Sequence, residues 1–516
     1  MPISIFNDVI GPVMRGPSSS HTAASFRIAF AVRASVGDVS RVVCDFDTNG
    51  SLAATHKGQG TDMGFTCGLI GIDLTDEKVK DYEDLAKNTG IDVTFRILDY
   101  GAIHPNTYRI DAIGKSGTHH TWEGISTGGG MIEMQKFDGF SISLSGDFYE
   151  LLITAQADKA DKLRETSASV HPDFVLESEN NGKILFEMKF SNKNDADSAV
   201  KIANKNGLTD VAYIPAFLPT LSRASCSVPF ETASEMLAYN ESKNLPLWEL
   251  AAEYEAQRGG TSKEKVLQNA TALLAVMEHA LDEGLAGTEY KDRILGRQSD
   301  RIEKAERSGT LIPCSIVNGI IKSITAIMET KSAMGVIIAA PTAGSCGCLP
   351  GTLIGAARIM GKSREETAKA LLAAGLIGIF FAKGATFAAE VGGCQMECGA
   401  GSGMAAAGLV QLMGGTAVQC ADAASIALQN ITGLVCDTVA DRVEVPCLGK
   451  NIMAGTNAIA AANMALAGYD KVIPLDETIA AMLDIGHKLP AELRCTFGGL
   501  GKTPTALKIA EELKSR

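Results

Sequence analysis

At 516 residues, 46% of them hydrophobic, the chain is too long for one ordinary domain and holds ample apolar material for a large core. Sixty acidic against 47 basic residues leave a net charge of −13, which argues against nucleic acid or an anionic membrane surface as a partner and favours a small molecule. The first fifteen residues show no basic start followed by an apolar stretch, so no export signal is expected, and the twelve cysteines are expected to be reduced cytoplasmic thiols.

In chain order, three blocks separate. Residues 1–155 mix short alternating runs ("RVVCDFDT", "VTFRILDY", "NTYRIDAI", "SISLSG") with an alanine-rich helix over 23–36, and read as an α+β domain. Ahead of that helix stands "GPSSSHT". Its Ser18, Ser19 and Ser20 fit a helix cap, and bare backbone donors at the same place also suit a carboxylate. Further on come "HPNT", with His104, and "SGTHHTWEGISTGGG", whose His119 and His120 read as surface residues and whose glycine triplet reads as a tight turn.

Residues 160–222 are more polar. There "KILFEMKF", "DADSAVKIANKNG" and "VAYIPAFL" predict strand, helix and strand, a small ferredoxin-like or regulatory module. From residue 229 to 516 helical spacing takes over, beginning with Thr232 and Glu235 as a capping box. The longest apolar run, 370–382, is too short to span a bilayer and reads as a buried helix. The expected architecture is therefore an α+β N-terminal domain, a small ferredoxin-like module and a large all-α C-terminal catalytic domain.

Most cysteines, including Cys44, Cys67, Cys226 and Cys420, sit among apolar neighbours and read as core. Those in "GGCQMECG" and "VCDTVADRVEVPC" stand apart. Cys436 and Cys447 flank a short charged segment at a spacing that suits neither a zinc ribbon nor a redox Cys-x-x-Cys.

Taken together and in order, "GPSSSHT", "HPNT", "APTAGSCGCLPG", "GGCQMECG", "CDTVADRVEVPC" and "TPTALKIAEEL" resemble the motifs of the iron-sulfur-dependent L-serine dehydratases, with β-type and α-type regions fused. The resemblance covers nearly the whole chain except the middle module. It implies a [4Fe-4S] cluster on Cys394, Cys436 and Cys447, three thiolates that leave one iron open. Cys398 ranks second to these, since the family pattern does not use it. The implied reaction converts a β-hydroxy amino acid, L-serine first, to a 2-keto acid and ammonia. A homodimer is implied as well.

His21 and His104 are the candidate acids and bases, while Ser18, Ser19, Ser20, Thr342, Gly344 and Ser345 are candidate anchors for the substrate's carboxylate and amino groups. Three departures from the family pattern bear on substrate. Gln59 stands in "KGQGTD" where the family has a proton-transfer histidine, leaving His56 as a replacement. Arg297, within "LGRQSDRIEK", suggests a pocket for an additional anionic group. Thr438 and Asp441 sit beside a cluster ligand. Because the chain ends "EELKSR", Cys495 becomes the internal candidate for the cluster-plugging terminal cysteine of some members. The alternatives are a cluster-dependent lyase on another β-substituted acid, with a second carboxylate or a thiol leaving group, and an inactive cluster-bearing sensor.

Overall fold

Period-two alternation of apolar and polar residues shapes the first half of the chain. A computed structural model describes residues 1–514. A two-residue strand, β1 (Val13–Met14), precedes β2 (Val39–Asp47), β3 (Asp92–Leu98), β4 (Thr107–Gly114), β5 (His119–Gly128), β6 (Met131–Phe137) and β7 (Phe140–Leu144). The last six form one sheet in the order β3-β2-β4-β5-β6-β7, with β2 parallel to β3 and the other pairs antiparallel. In β7 the alternation is clean: Phe140, Ile142 and Leu144 are buried, Ser141 and Ser143 exposed. Helices Ala24–Val36 and Thr61–Ile70 cover one face, setting Ile28, Val32 and Phe65 against Phe46, Tyr108 and Trp122.

A second, antiparallel sheet follows, built from β8 (Tyr149–Gln156), β9 (Phe174–Asn180), β10 (Lys183–Phe190) and β11 (Val211–Ile214) in the order β11-β8-β10-β9. Helices Ala160–Val170 and Lys193–Lys205 connect β8 to β9 and β10 to β11. Pattern alone placed β8 in the first block, which it closed at residue 155, but its hydrogen bonds belong to this sheet. Its residues reach two cores, Leu152 joining that of the first sheet and Leu151 and Ile153 packing with the module's own helices. A strand buried on both faces loses the alternation that would mark it.

The rest is helical, apart from the short strand β12 (Ile337–Ile338). The apolar run at 370–382 lies within helix Arg364–Gly384. At 21 residues this helix is long and apolar enough to cross a membrane, yet its residues 370–381 lie almost wholly inside the protein. Helices Cys398–Leu412, Ala417–Ile431 and Cys447–Leu466 complete its surroundings.

The N-terminal residues belong to this helical body although sequence pattern assigned them to the first domain. Ile5, Val9, Ile10 and Met14 are buried in the helical core, and β1 pairs antiparallel with β12. Glu255 holds the segment: its carboxylate accepts from Ser4 Oγ at 2.5 Å and from the Ile5 amide at 2.8 Å. A second seam joins the halves where Gly128 bridges Phe387. Gly128 has φ +100°, and a Cβ there would lie 2.6 Å from the Ala388 amide nitrogen, so the "STGGG" turn serves a backbone-to-backbone contact.

Glu255→Ala leaves the Ser4 hydroxyl and the Ile5 amide without their buried acceptor. It is expected to cost about 2–4 kcal/mol, read as a lowered urea midpoint, with Glu255→Gln recovering part of the loss.

Candidate active site

The N-terminal loop and the loop before helix Cys348–Met360 meet because the first residues are anchored in the helical body. The Ala343 amide donates to Ser19 Oγ at 3.1 Å. On one side of this junction, Thr342 Oγ1 lies 3.1 Å from Ser345 Oγ and donates to Glu397 Oε1 at 2.8 Å. Gly344 is required there, since a Cβ would stand 2.9 Å from that same carboxylate oxygen. On the other side, Ser20 Oγ donates to Glu390 Oε1 at 2.7 Å.

His21 is fully buried between these loops, and its tautomer follows from its partners. Thr55 Oγ1 donates to the Ser51 carbonyl, so it accepts from His21 Nε2 at 2.7 Å. Nδ1 is then the acceptor, with Ser18 Oγ at 3.0 Å. Burial pushes the ring's pKa down to about 4, partly offset by Glu390, so His21 is uncharged at neutral pH.

Facing these loops is a group of thiols. The Sγ atoms of Cys394 and Cys436 and a carboxylate oxygen of Glu397 all lie within 4.8 Å of one another. Cys495 packs in the same cluster, tied to Cys436 by paired backbone bonds: Cys436 N to Leu493 O at 2.8 Å and Cys495 N to Cys436 O at 3.1 Å. Cys447, at the start of helix Cys447–Leu466, is buried near enough to Cys394 to affect its charge but lies outside the tightest group. Cys398 instead packs with Cys348, Ile431 and Ala454. The Cys394 thiol pKa is raised first by its hydrogen bond with Cys436 and then by burial, and that of Cys447 by burial, so a soft metal group that displaces their protons suits the donor set. Lys450 adds positive charge beside it, donating to Val435 O at 2.6 Å and Asp437 Oδ1 at 2.7 Å.

The remaining candidates divide. Gln59, also buried, donates to Asp441 Oδ1 at 3.0 Å and to Cys495 Sγ at 3.3 Å, so two departures from the family pattern and the internal cysteine form one hydrogen-bonded cluster. Burial raises the Asp441 carboxyl to about 7 against the lowering effects of Gln59, Arg442 and His56. His56 Nδ1 donates to Asp62 Oδ1 at 2.6 Å. His104 Nδ1 accepts from the Asn106 amide at 3.2 Å, leaving the proton on Nε2. His119 and His120 pair with Asp111 and Asp138 on the first sheet.

Arg297 is not brought to the thiols. It is exposed, and its guanidinium donates to the Leu285 carbonyl at 2.6 Å, near the end of helix Lys263–Ala286, where a cation meets the last carbonyls favourably.

Sequence reasoning missed Glu390, Glu397, Thr55 and Asn106. The two acids flank Cys394 in an otherwise apolar run, and that isolation was the available signal. Among the described residues, Glu390 Oε2 and both polar atoms of the Asn106 side chain are buried without a hydrogen-bond partner. Buried polar atoms left in this state mark room for water or a ligand.

Comparison with known proteins places this geometry. The family model described as serine dehydratase alpha chain matches residues 242–500, and that described as serine dehydratase beta chain matches residues 9–97. A probable L-serine dehydratase alpha chain of Bacillus subtilis (strain 168) is 38% identical over 285 residues, covering 55% of this chain and 95% of that one. L-serine dehydratase 2 of Escherichia coli (strain K12) is 26% identical over 517 aligned residues, covering 96% and 98% of the two chains. A probable L-serine dehydratase beta chain of the same B. subtilis strain is 42% identical over 151 residues, 29% of this chain and 67% of the relative.

The raised Asp441 pKa predicts a pH dependence. The folded state holds this proton more tightly than the unfolded state, whose carboxyl titrates near 3.8. The associated stability is therefore present at low pH and lost as pH rises through about 7. Urea midpoints of the wild type and Asp441→Asn are expected to differ least below about pH 4 and to diverge progressively up to about pH 7, with the variant more stable by up to a few kcal/mol above that.

Proposed function

We propose, from the premise that the chain belongs to the serine dehydratase family with its beta-chain and alpha-chain regions in one polypeptide, that it eliminates water from L-serine to give pyruvate and ammonia. The observation that carries this reading is the closure of the Ser18–Ser20 and Thr342–Ser345 loops, from opposite halves of the chain, beside the Cys394–Cys436–Glu397 group. Cys394, Cys436 and Cys447 would hold a [4Fe-4S] cluster. With one iron free of protein ligands, such a group supplies a Lewis-acid position for the leaving hydroxyl.

The chain's own residues then account for binding and proton movement. Hydroxyls of Ser18, Ser19, Thr342 and Ser345 orient the substrate without adding competing charge. His56 takes the α-proton at Nε2, whose lone pair is left free because Nδ1 donates to Asp62. The C–H electron pair forms the Cα=Cβ bond as the Cβ–O bond breaks. Hydroxide departs with its pair and takes the proton of His104 Nε2, leaving as water. The enamine product tautomerises to an imine, which water hydrolyses to pyruvate and ammonia.

Arg297 is exposed and donates to the Leu285 carbonyl, which makes the reading with an additional anionic group on the substrate the less favoured one. We also read the β8–β11 unit, with its βαββαβ order, as a ferredoxin-like module.

Protein prepared without oxygen is expected to be brown, to carry about four irons per chain and to release pyruvate from L-serine. Iron-free protein with full activity would overturn the cluster. Cys394→Ser, Cys436→Ser and Cys447→Ser should each lose iron and turnover, while Cys398→Ser keeps both.

His56→Ala is expected to lower kcat for L-serine by about 10²–10⁴-fold, while Gln59→His preserves turnover. Robust turnover by His56→Ala would remove His56 from the role of base.

A further inference from the structure

We infer that Glu390 binds the α-ammonium group of the substrate, and that this contact makes the site selective for β-hydroxy α-amino acids over acids with a hydroxyl at Cα. The inference rests on the β-elimination reading above and specifies its substrate class. Glu390 sits one turn ahead of Cys394, on a segment fixed against the first sheet by the Gly128–Phe387 bridge and by Thr386 Oγ1 donating to Thr127 O at 3.2 Å. It is only 4% exposed.

Its two oxygens differ. Oε1 accepts from Ser20, whereas Oε2 has no donor among the described residues. A buried carboxylate held this way calls for a cation, and the neighbouring cations are turned elsewhere. His21 Nδ1 stands 3.5 Å from Oε1 but is the unprotonated nitrogen of an uncharged ring. Arg494 donates through Nη1 to the Val391 carbonyl at 3.1 Å; among the described residues its buried Nε has no partner, and it makes no ion pair with Glu390. Lys331 donates to Val443 O, and Lys450 is paired with Asp437.

Nor does a second carboxylate help. Glu397 lies close enough that Glu390 adds to the burial that lifts it to about 7. His104 and Cys495 also feel the Glu390 charge. A primary ammonium brings the missing positive charge and three N–H donors on one atom. One of these reaches Oε2, and the Ser18 and Ser20 oxygens are available to the others. A hydroxyl brings one donor and no charge.

The test compares L-serine with L-glycerate, in which a hydroxyl replaces the ammonium. Binding of each to anaerobically prepared, iron-loaded protein is followed by calorimetric titration, and turnover of each is measured beside it. The wild type is expected to prefer serine by at least about 100-fold. Glu390→Gln, which keeps an acceptor for Ser20, is expected to weaken serine binding roughly 10- to 100-fold while leaving glycerate binding unchanged or stronger.

A wild-type preference below about 10-fold overturns the inference whatever the variant does, as does a Glu390→Gln protein with its iron retained and the serine-to-glycerate ratio unchanged. If substitution costs the iron, the wild-type comparison alone decides. Wild-type protein that eliminates water from glycerate but not serine overturns both this inference and the serine reading. Wild type that turns over serine without an ammonium preference overturns only the inference.

Discussion

Burying ionisable groups without solvent is the constraint from which this structure follows. Glu390 and Glu397 stand within about one turn of Cys394 on either side, Glu390 buried and Glu397 half-buried. Carboxylates in such a place survive only if hydroxyl and amide donors replace their lost water. The donors come from far along the chain: Ser20 reaches Glu390, and Thr342 reaches Glu397. Folding around the thiols is therefore also the act that closes the two loops on each other. A fold that separated the first twenty residues from the helical body would leave Glu390 unsatisfied.

The same constraint explains the architecture of the first half. The sheet acts as a platform that holds helices Ser51–Thr55 and Thr61–Ile70, and from these and the turn between them Thr55, His56 and Gln59 are presented. His56 is wedged beside Phe46 and Phe95, which fixes its ring while Asp62 fixes its tautomer. Gln59 then links this platform to the opposite wall through Asp441 and Cys495. Backbone at Ala440 and Asp441 adopts φ of +52° and +55°, unusual for two consecutive non-glycine residues. That conformation turns the Asp441 carboxylate toward Gln59, and it is kept because the surrounding contacts outweigh its strain.

What the sequence revealed depended on the range of the forces involved. Periodicity is local, so β7, the capping box at Thr232 and Glu235 and the buried helix around 370–382 could be read directly. β8 was assigned to the wrong block because burial on both faces erased its period. The N-terminal strand was misplaced because its partner, β12, lies some 320 residues away in sequence. At the site, ordered motifs exposed Cys394, Cys436 and the serine loops. Glu390 and Glu397 were invisible because an acid in a helical run ordinarily points to water, and only the tertiary structure turns these two inward. Arg297 shows the converse: its charge suggested a ligand, and in the structure its guanidinium donates to a carbonyl near the end of a helix.

Gln59 shows how a site tolerates the loss of a titratable side chain. An amide cannot take up a proton, but it can donate to a carboxylate and to a thiol at once, and Gln59 does both. An imidazole in its place could donate to Asp441 and would then turn its second nitrogen toward Cys495, which changes the protonation balance of the whole wall. On the proposed mechanism a neutral amide at Gln59 leaves proton transfer to His56 and His104, and Glu390 is left to bind the ammonium group.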